Sequence, residues 1–331
     1  MKISSKDFSA TIFIPTYNGE TYIKAILDAI VAQKAPFKFD VLIIDSGSKD
    51  QTLPIVETFA KKHSNIKLHQ IPNTEYGHGK TRNRAAHMAS GDVVVYLSHD
   101  AVPMHDQWLY EMVKPFEINE KIVGVMGKQV PRRNSIPLLK YEINSVFGNF
   151  GPDFGTTIFY KDDFVKDQGV YDAISFYSDA NSAARKDYLL GKFPYQDVPY
   201  AEDQLFGRDI IDAGYYKAYA GRGSVEHSND LTLREYKHRM FDETLGLRKI
   251  GFPVNVPSKK LITRMIVAGV LKDGIRILRD KEYSVKRKLS WLVLNPFFHI
   301  EKWRGVRRAA LYDINDNESL LKYSLENRRK K

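Results

Sequence analysis

Ile43-Ile44-Asp45-Ser46-Gly47-Ser48-Lys49-Asp50 is the stretch that decides the fold. An apolar, β-branched run stops at an acid, and small polar residues with a second acid follow. Such a short continuous run reads as a strand buried on both faces. The same plan recurs at Tyr96-Leu97-Ser98-His99-Asp100. In an open α/β sheet, ligands bind beyond the carboxyl ends of the strands. Two acids at two such ends outline a site for a charged ligand, and a nucleoside diphosphate with a divalent metal suits them.

Outward from these runs, residues 10–15, 39–45, 66–71 and 92–98 read as strands. Between them, residues 20–33, 50–63 and 79–89 read as helices. Strand and helix alternating at this spacing predict a doubly wound, mostly parallel α/β sheet. After about Ile122 the rhythm loosens. Residues 130–155 carry Pro131, Pro137, Pro152 and three glycines and read as a long loop, which is a binding element more often than an accident. Tyr141, Phe147, Phe150 and Phe154 make it a candidate acceptor lip. Regular structure is expected again near 156–160, at 175–185, in a helix from about Glu202 and in another over 231–250.

The chain has 331 residues and an ordinary apolar content, enough for one large domain with an appendage or for two domains. It has no cysteine, which excludes disulfides and thiolate metal sites and suits a reducing compartment. The first seven residues lack the apolar core of a secretory signal. No run approaches the roughly 20 apolar residues of a membrane span. The net charge of +10 is uneven: residues 257–331 hold 19 Lys and Arg against 8 Asp and Glu, and the remainder 31 against 32. A neutral body with a basic tail points to an anionic surface.

In that tail Leu261, Met265, Ala268, Leu271, Ile275 and Leu278 recur at helical spacing, with Arg264, Lys272, Arg276 and Arg279 largely off the stripe. Trp291, Phe297, Phe298 and Trp303 follow among further Lys and Arg. Cationic helices with aromatic residues suit a lipid–water interface. They also suit a helical subdomain with a solvated basic face. No recognised nucleic-acid motif is present, and nucleic acid is not expected as a partner.

Several residues along the body carry possible chemistry. Asp45 and Asp100 suit either a turn or helix cap, or a ligand contact; a carboxylate at Asp100 can hold Mg²⁺ or Mn²⁺. Glu202-Asp203 opens a helix, where acids are favoured by the dipole, or supplies a general base. His227 lies just beyond the last expected strand and is structural or a metal ligand. Gly77-His78-Gly79-Lys80-Thr81-Arg82-Asn83 runs from a glycine-rich turn into a helix. It lacks P-loop spacing, but its helix N-terminus with Lys80 and Arg82 favours phosphate.

Taken in order over residues 8–229, these motifs resemble the family-2 glycosyltransferases, inverting enzymes of the GT-A fold that use nucleotide sugars. Ile14-Pro15-Thr16-Tyr17-Asn18 looks like the family's opening strand and turn against the nucleotide. Asp45-Ser46-Gly47-Ser48-Lys49-Asp50 is similar to its D-D-G-S-x-D segment, with Ser46 in place of the second acid; the resemblance gives Asp45 the base contact. Ser98-His99-Asp100 stands at the D-x-D motif, with Ser98 in place of the first acid and Asp100 as the metal-binding acid. Glu202-Asp203 matches the E-D motif and makes Asp203 the catalytic base. His227 lies where some members place a further metal ligand. The resemblance thus implies a nucleotide-sugar site of Pro15, Thr16, Tyr17, Asn18, Asp45, Lys80, Arg82, Asn83, Ser98, His99 and Asp100. It implies a metal, Mg²⁺ or Mn²⁺, on Asp100 and His227.

A narrower resemblance, to the bacterial rhamnosyltransferase branch, rests on residues 77–83, 98–103, 178–185, 201–204 and 227–228. It assigns Asp179, Asn181, Arg185 and Glu202 to acceptor or sugar. It implies dTDP-L-rhamnose as donor and a polyprenyl-pyrophosphate-linked saccharide as acceptor. It also implies a cytoplasmic enzyme, peripheral on the inner membrane face. The expected domains are 1–230, catalytic, with a nucleotide-sugar half to about 105 and an acceptor half from 106, and 231–331, helical, basic and membrane-associating. The alternatives are a UDP-galactofuranose, UDP-glucose or UDP-N-acetylhexosamine donor, or an inactive tethering protein. Oligomeric state is open at this level.

Overall fold

The computed structural model describes residues 8–229, 231–316 and 318–325. In chain order the elements are β1 (Ala10–Thr16), α1 (Glu20–Val31), β2 (Phe39–Asp45), α2 (Thr52–Lys62), β3 (Ile66–Gln70), α3 (His78–Met88), β4 (Val93–Leu97), β5 (Val102–Pro103), α4 (Trp108–Val113), β6 (Ile122–Val130) and α5 (Pro137–Gly148). They continue with β7 (Thr156–Phe159), α6 (Gln168–Ser175), β8 (Asn181–Arg185), α7 (Lys186–Leu190), α8 (Glu202–Asp212) and β9 (Tyr216–Glu226). The helices α9 (Leu233–Lys249), α10 (Lys259–Arg279), α11 (Val285–Leu311) and α12 (Leu320–Tyr323) end the series. Two compact units result. Of the described residues, one comprises those of 8–130, 145–198 and 202–227, and the other those of 131–144, 199–201 and 228–325.

The first unit is built on one mixed sheet in the order β3-β2-β1-β4-β8-β6-β9-β5, with β7 also on β9. β1 to β4 run parallel, β8 is antiparallel to both its neighbours, and β6 and β9 run parallel to each other. Alternate residues explain why the first strands read as continuous apolar runs. Ile12, Ile14, Val41, Ile43, Val93 and Val95 enter a core completed by α1 and α4. On the other face Phe13 meets Tyr96 edge-on, Tyr96 meets Tyr195, and Tyr195 stacks on Phe206 of α8 at 4.7 Å. Both faces are covered, so both alternating sets must be apolar.

The sequence expectation departs from the structure in the middle of the chain. The stretch 130–155 contains a helix, α5, at its centre. Pro137 is the first residue of α5 and Gly148 the last, so the proline and glycine that suggested a loop punctuate a helix instead. Phe147 and Phe150 are core residues packed on each other, on Phe176 and on Tyr219; of the four expected lip aromatics only Phe154 is largely exposed. β6 was hidden by Gly124 and Gly127 and by two register shifts against β9. Gly127 is required there, because a Cβ would collide with Asn181, Gly223 and Met112.

In the second unit, α9 packs along α11, and α10 packs on α11. Thr232 caps α9 in a capping box with Glu235. Ser258 and Ser284 cap α10 and α11 by accepting from Leu261 and Arg287 N–H. Lys140 forms ion pairs with Asp280 at 2.8 Å and Glu282 at 2.6 Å, and Tyr141 donates to Asp280.

Candidate active site

Strand register gathers the predicted residues of the first unit at one rim of the sheet. Thr16 and Asp45 are paired at the ends of β1 and β2. Asn181 opens β8 opposite Leu97, the end of β4. β6 and β9 end together at Val130 and Glu226. Asp45, the turn 98–100, Asp179, Gln129 and His227 therefore share the end where ligands of such sheets bind.

The loops after β1 and β2 are joined by side-chain hydrogen bonds. Asp45 is buried and accepts from Gly47 N–H and Ser48 N–H, both at 2.9 Å, from Thr16 Oγ1 at 2.9 Å and from Ser48 Oγ. Those donors occupy the roughly four acceptor positions of a carboxylate. Gly47 takes a φ of +92°, which glycine alone adopts without strain. Asn18 accepts from Lys49 N–H at 2.9 Å, and its own N–H donates to Ser48 Oγ. Asp50 accepts from Glu20 N–H and Thr52 N–H, at the starts of both α1 and α2. The loop pair is thus a preformed wall.

Across the rim, His227 Nδ1 lies 2.8 Å from Gln129 Oε1, and Gln129 Nε2 donates to Ser178 Oγ at 3.0 Å. With the Gln129 amide oriented by Ser178, its oxygen faces the imidazole and takes the Nδ1 proton. In the neutral imidazole the lone pair then sits on Nε2, which faces Asp100 Oδ1 at 3.4 Å. Two acceptors facing each other at this distance suit a shared cation, with Gln129 fixing the imidazole from behind. Among the described residues no three His, Asp or Glu side chains form a complete metal cage. One or two carboxylates suffice for Mg²⁺ when substrate phosphates and water complete its shell, and Asp100 supplies one.

The third component is a buried charge cluster. Arg82 of α3 contacts Asp179 through Nε at 2.8 Å and Glu202 through Nη1. Its guanidinium lies over the Tyr195 ring, and Tyr195 OH and Ser182 Oγ donate to Asp179 Oδ1 at 2.9 and 2.6 Å. Asp203 is next in line. It is half-buried and accepts from Asp179 N–H at 3.2 Å and Gln204 N–H at 2.8 Å. Three carboxylates share one guanidinium, and Arg82 is engaged by the other two. Burial first, then the charges of Glu202 and Asp179, push the Asp203 carboxyl up to about 7. Ala201, just before this pair, has a φ of +65°, a left-handed turn uncommon for a residue with a side chain.

The Glycosyl transferase family 2 model matches residues 11–190. This chain belongs to that family. O-antigen chain rhamnosyltransferase RfbN of Salmonella typhimurium is 32% identical over 70% of this chain and 70% of its own length. O-antigen chain rhamnosyltransferase WbaN of Salmonella anatum is 32% identical over 71% and 70%. The crystal structure of Staphylococcus aureus TarS 1–349 matches with a TM-score of 0.51 at 19% identity, covering 91% of this chain and 90% of that one. The fold is that of the GT-A glycosyltransferases, and the protein is a glycosyltransferase with O-antigen rhamnosyltransferases among its relatives.

Within this glycosyltransferase, some predicted contacts fall away from the ligand side. Arg185 pairs in register with Val93, at the start of β4 and so at the far end of the sheet from Asp100. Its guanidinium lies over Phe8 and Phe116 and donates to the carbonyls of Ile122 and Phe116. Asn181 is fully buried: its amide donates to Lys128 and Gly223 carbonyls and accepts from Trp108 Nε1. Asn83 spends its amide on both backbone groups of Tyr195. Arg82 is neutralised by Asp179 and Glu202 and is no open phosphate contact. Lys80 is exposed in the first turn of α3, Tyr17 and Ser98 are half-buried at the rim, and His99 Nδ1 faces Pro15 O at 3.3 Å. Sequence reasoning did not single out Gln129, Ser178 or Tyr195. Their roles come from β6 lying beside β9 and from the 178–195 segment folding over α3, pairings with no local signature.

Proposed function

We propose that the enzyme transfers L-rhamnose from dTDP-L-rhamnose to a polyprenyl-pyrophosphate-linked saccharide, with inversion, and that it works at the inner membrane face. The observation that carries the chemistry is Asp203: a surplus carboxylate, poised near neutrality, at the rim where the strand-end loops converge. A general base works best when its pKa lies near the working pH. The sugar assignment is supported by likeness to two rhamnosyltransferases over two thirds of the chain.

In this reading Asp203 takes the proton of the acceptor hydroxyl as its oxygen attacks the anomeric carbon. The bond to the diphosphate breaks on the opposite face, and one displacement inverts the configuration. Arg82 acts through its neighbours, pairing with Asp179 and Glu202 and holding them in place, which leaves Asp203 to take the proton. Asp100 and His227 would hold the divalent ion, Mg²⁺ or Mn²⁺. When bound, such an ion neutralises charge on the leaving diphosphate. The wall of residues 16–20 and 45–50 receives the nucleotide. A base contact by Asp45 requires one of its present donors to move.

The test is nucleoside diphosphate release from a panel of nucleotide sugars with lipid-linked acceptor. Turnover of dTDP-L-rhamnose above every UDP-sugar is expected. Thymine and uracil both present N3–H, so selection must come from the sugar pocket and the room for the thymine methyl. Transfer from a UDP-hexose with none from dTDP-L-rhamnose would remove the rhamnose assignment and leave the enzyme class intact.

A further inference from the structure

The hairpin of α10 and α11, within the second unit, is apolar in more places than its own packing uses. α10 is held on α11 by specific contacts. Asn295 Nδ2 donates to Val270 O at 2.9 Å, Lys288 Nζ donates to Leu278 O at 2.8 Å, and His299 Nε2 lies 3.1 Å from Asp273 Oδ2. Gly269 leaves the space that the His299 ring fills. On another face α11 buries Phe298 against Tyr236 and Met240 of α9. The remaining faces stay open. Leu271, Ile275 and Leu278 on α10 are 64, 52 and 60% exposed; Leu289, Val293 and Phe297 on α11 are 61, 67 and 51% exposed. On each helix these residues fall three or four apart, as a stripe does. Eleven of the twenty-three exposed large apolar residues among the described residues lie on these two helices, so the exposure is concentrated.

The charge on the same hairpin names the occupant. Residues 259–311 hold 14 Lys and Arg against 4 Asp and Glu. Lys272, Arg279, Lys281 and Lys286 are exposed beside the stripes. A second copy of the chain would bring like charges face to face. Nucleic acid would meet the charge but leave the apolar stripes in water. A bilayer surface with anionic headgroups satisfies both, since long basic side chains reach the headgroups while apolar residues enter the acyl boundary. No described helix is long and apolar enough to cross a membrane, so the hairpin would lie along the surface.

We infer that the α10–α11 hairpin is a membrane-docking element that inserts Leu271, Ile275, Leu278, Leu289, Val293 and Phe297 into an anionic lipid–water interface, with its lysines and arginines on the headgroups. The inference needs no substrate and stands apart from the donor assignment. The 331-residue chain is mixed with vesicles of 7:3 phosphatidylcholine and phosphatidylglycerol, or of phosphatidylcholine alone, and sedimented. Binding to the anionic vesicles that weakens with salt is expected. Replacing Lys272, Arg279 and Lys286 together with Gln should lower partitioning on the order of fivefold per charge at low salt. Leu271→Asp with Val293→Asp should lower it at least about tenfold, whereas Ile118→Asp, an exposed apolar site in the first unit, should not.

Depth is read separately. The chain has no cysteine, so Leu289→Cys carries a single environment-sensitive fluorophore. A blue shift and brightening on anionic vesicles, absent from the same label at Ile118→Cys, is expected. Failure of the unmodified protein to bind anionic vesicles, equal binding by the double Asp variant, or an unshifted label at 289 would each overturn the inference. So would a dimer in sedimentation velocity that the double Asp variant dissolves, which would give the face to a second copy.

Discussion

Two aspartates of the same rim sit in opposite environments. Asp45 has a donor for each acceptor position: two backbone N–H groups, Thr16 and Ser48. Asp203 has two backbone N–H donors, two carboxylate neighbours and an arginine committed to those neighbours. Position at a strand or helix end does not separate them, and both match family motifs. The local ledger of donors and charges does. A carboxylate surrounded by donors organises a loop, whereas one left over in a like-charged cluster stays ready to take a proton.

The largest expected effect separates the two chemically. Asp203→Asn keeps the shape and loses the proton acceptor. kcat should fall by roughly two to four decades, the scale of general base catalysis, with donor affinity nearly unchanged in calorimetry. Loss of donor binding with normal residual kcat would make Asp203 a binding residue and erase the contrast with Asp45. Asp100→Ala tests the opposite wall of the rim. Transfer should be abolished, and metal-dependent binding of nucleoside diphosphate should weaken. Full activity of the unmodified enzyme in EDTA would remove the metal from the reading.

A smaller effect tests how the proton is placed. Glu202→Gln removes one of the two acids that push the Asp203 carboxyl up and loosens Arg82 at the same time. The acidic limb of the kcat/KM profile, set near pH 7 by Asp203, should move to lower pH by about one unit or less. A fall in rate with the limb unmoved would show Glu202 to be structural only.

The sequence was legible where the chain's physics is local. Strands β1 to β4 and helices α1 to α3 have apolar periods and short connections, and the acids at their ends stand in view. α8 and α9 open with acids or a capping box and read equally well. α5 did not, because Pro137 and Gly148 are as common at helix ends as in loops. The site was legible as positions more than as roles. Nothing near Asp45 in the sequence says that Thr16, 29 residues earlier, donates to it. Nothing near Arg82 foretells Glu202, 120 residues on. The places of Asn181 and Arg185 were hidden for the same reason: antiparallel β8 buries the first and carries the second to the far end of the sheet.

The smallest effect is the sharpest, because one substitution at two sites should change stability in opposite directions. In Asp45→Asn the amide nitrogen replaces an acceptor facing Thr16 and Ser48. The loss of hydrogen bonds to a charged group should cost about 1–3 kcal/mol, seen as a lower Tm at neutral pH. Asp203 follows the reverse rule. Its folded-state pKa of about 7 lies above the ordinary 3.8, so the folded protein holds this proton more tightly than the unfolded chain does. Stability from that proton is present below about pH 4 and is lost as pH rises to 7, since the buried cluster must then carry another negative charge. Asp203→Asn keeps the site neutral at every pH. It should raise Tm at pH 8 by roughly 2–6 °C and change it little at pH 4. Thermal unfolding of both variants at the two pH values, without ligand, measures this. A destabilised Asp203→Asn at pH 8 would mean that its carboxylate is as well satisfied as that of Asp45, and that the base of this glycosyltransferase lies elsewhere.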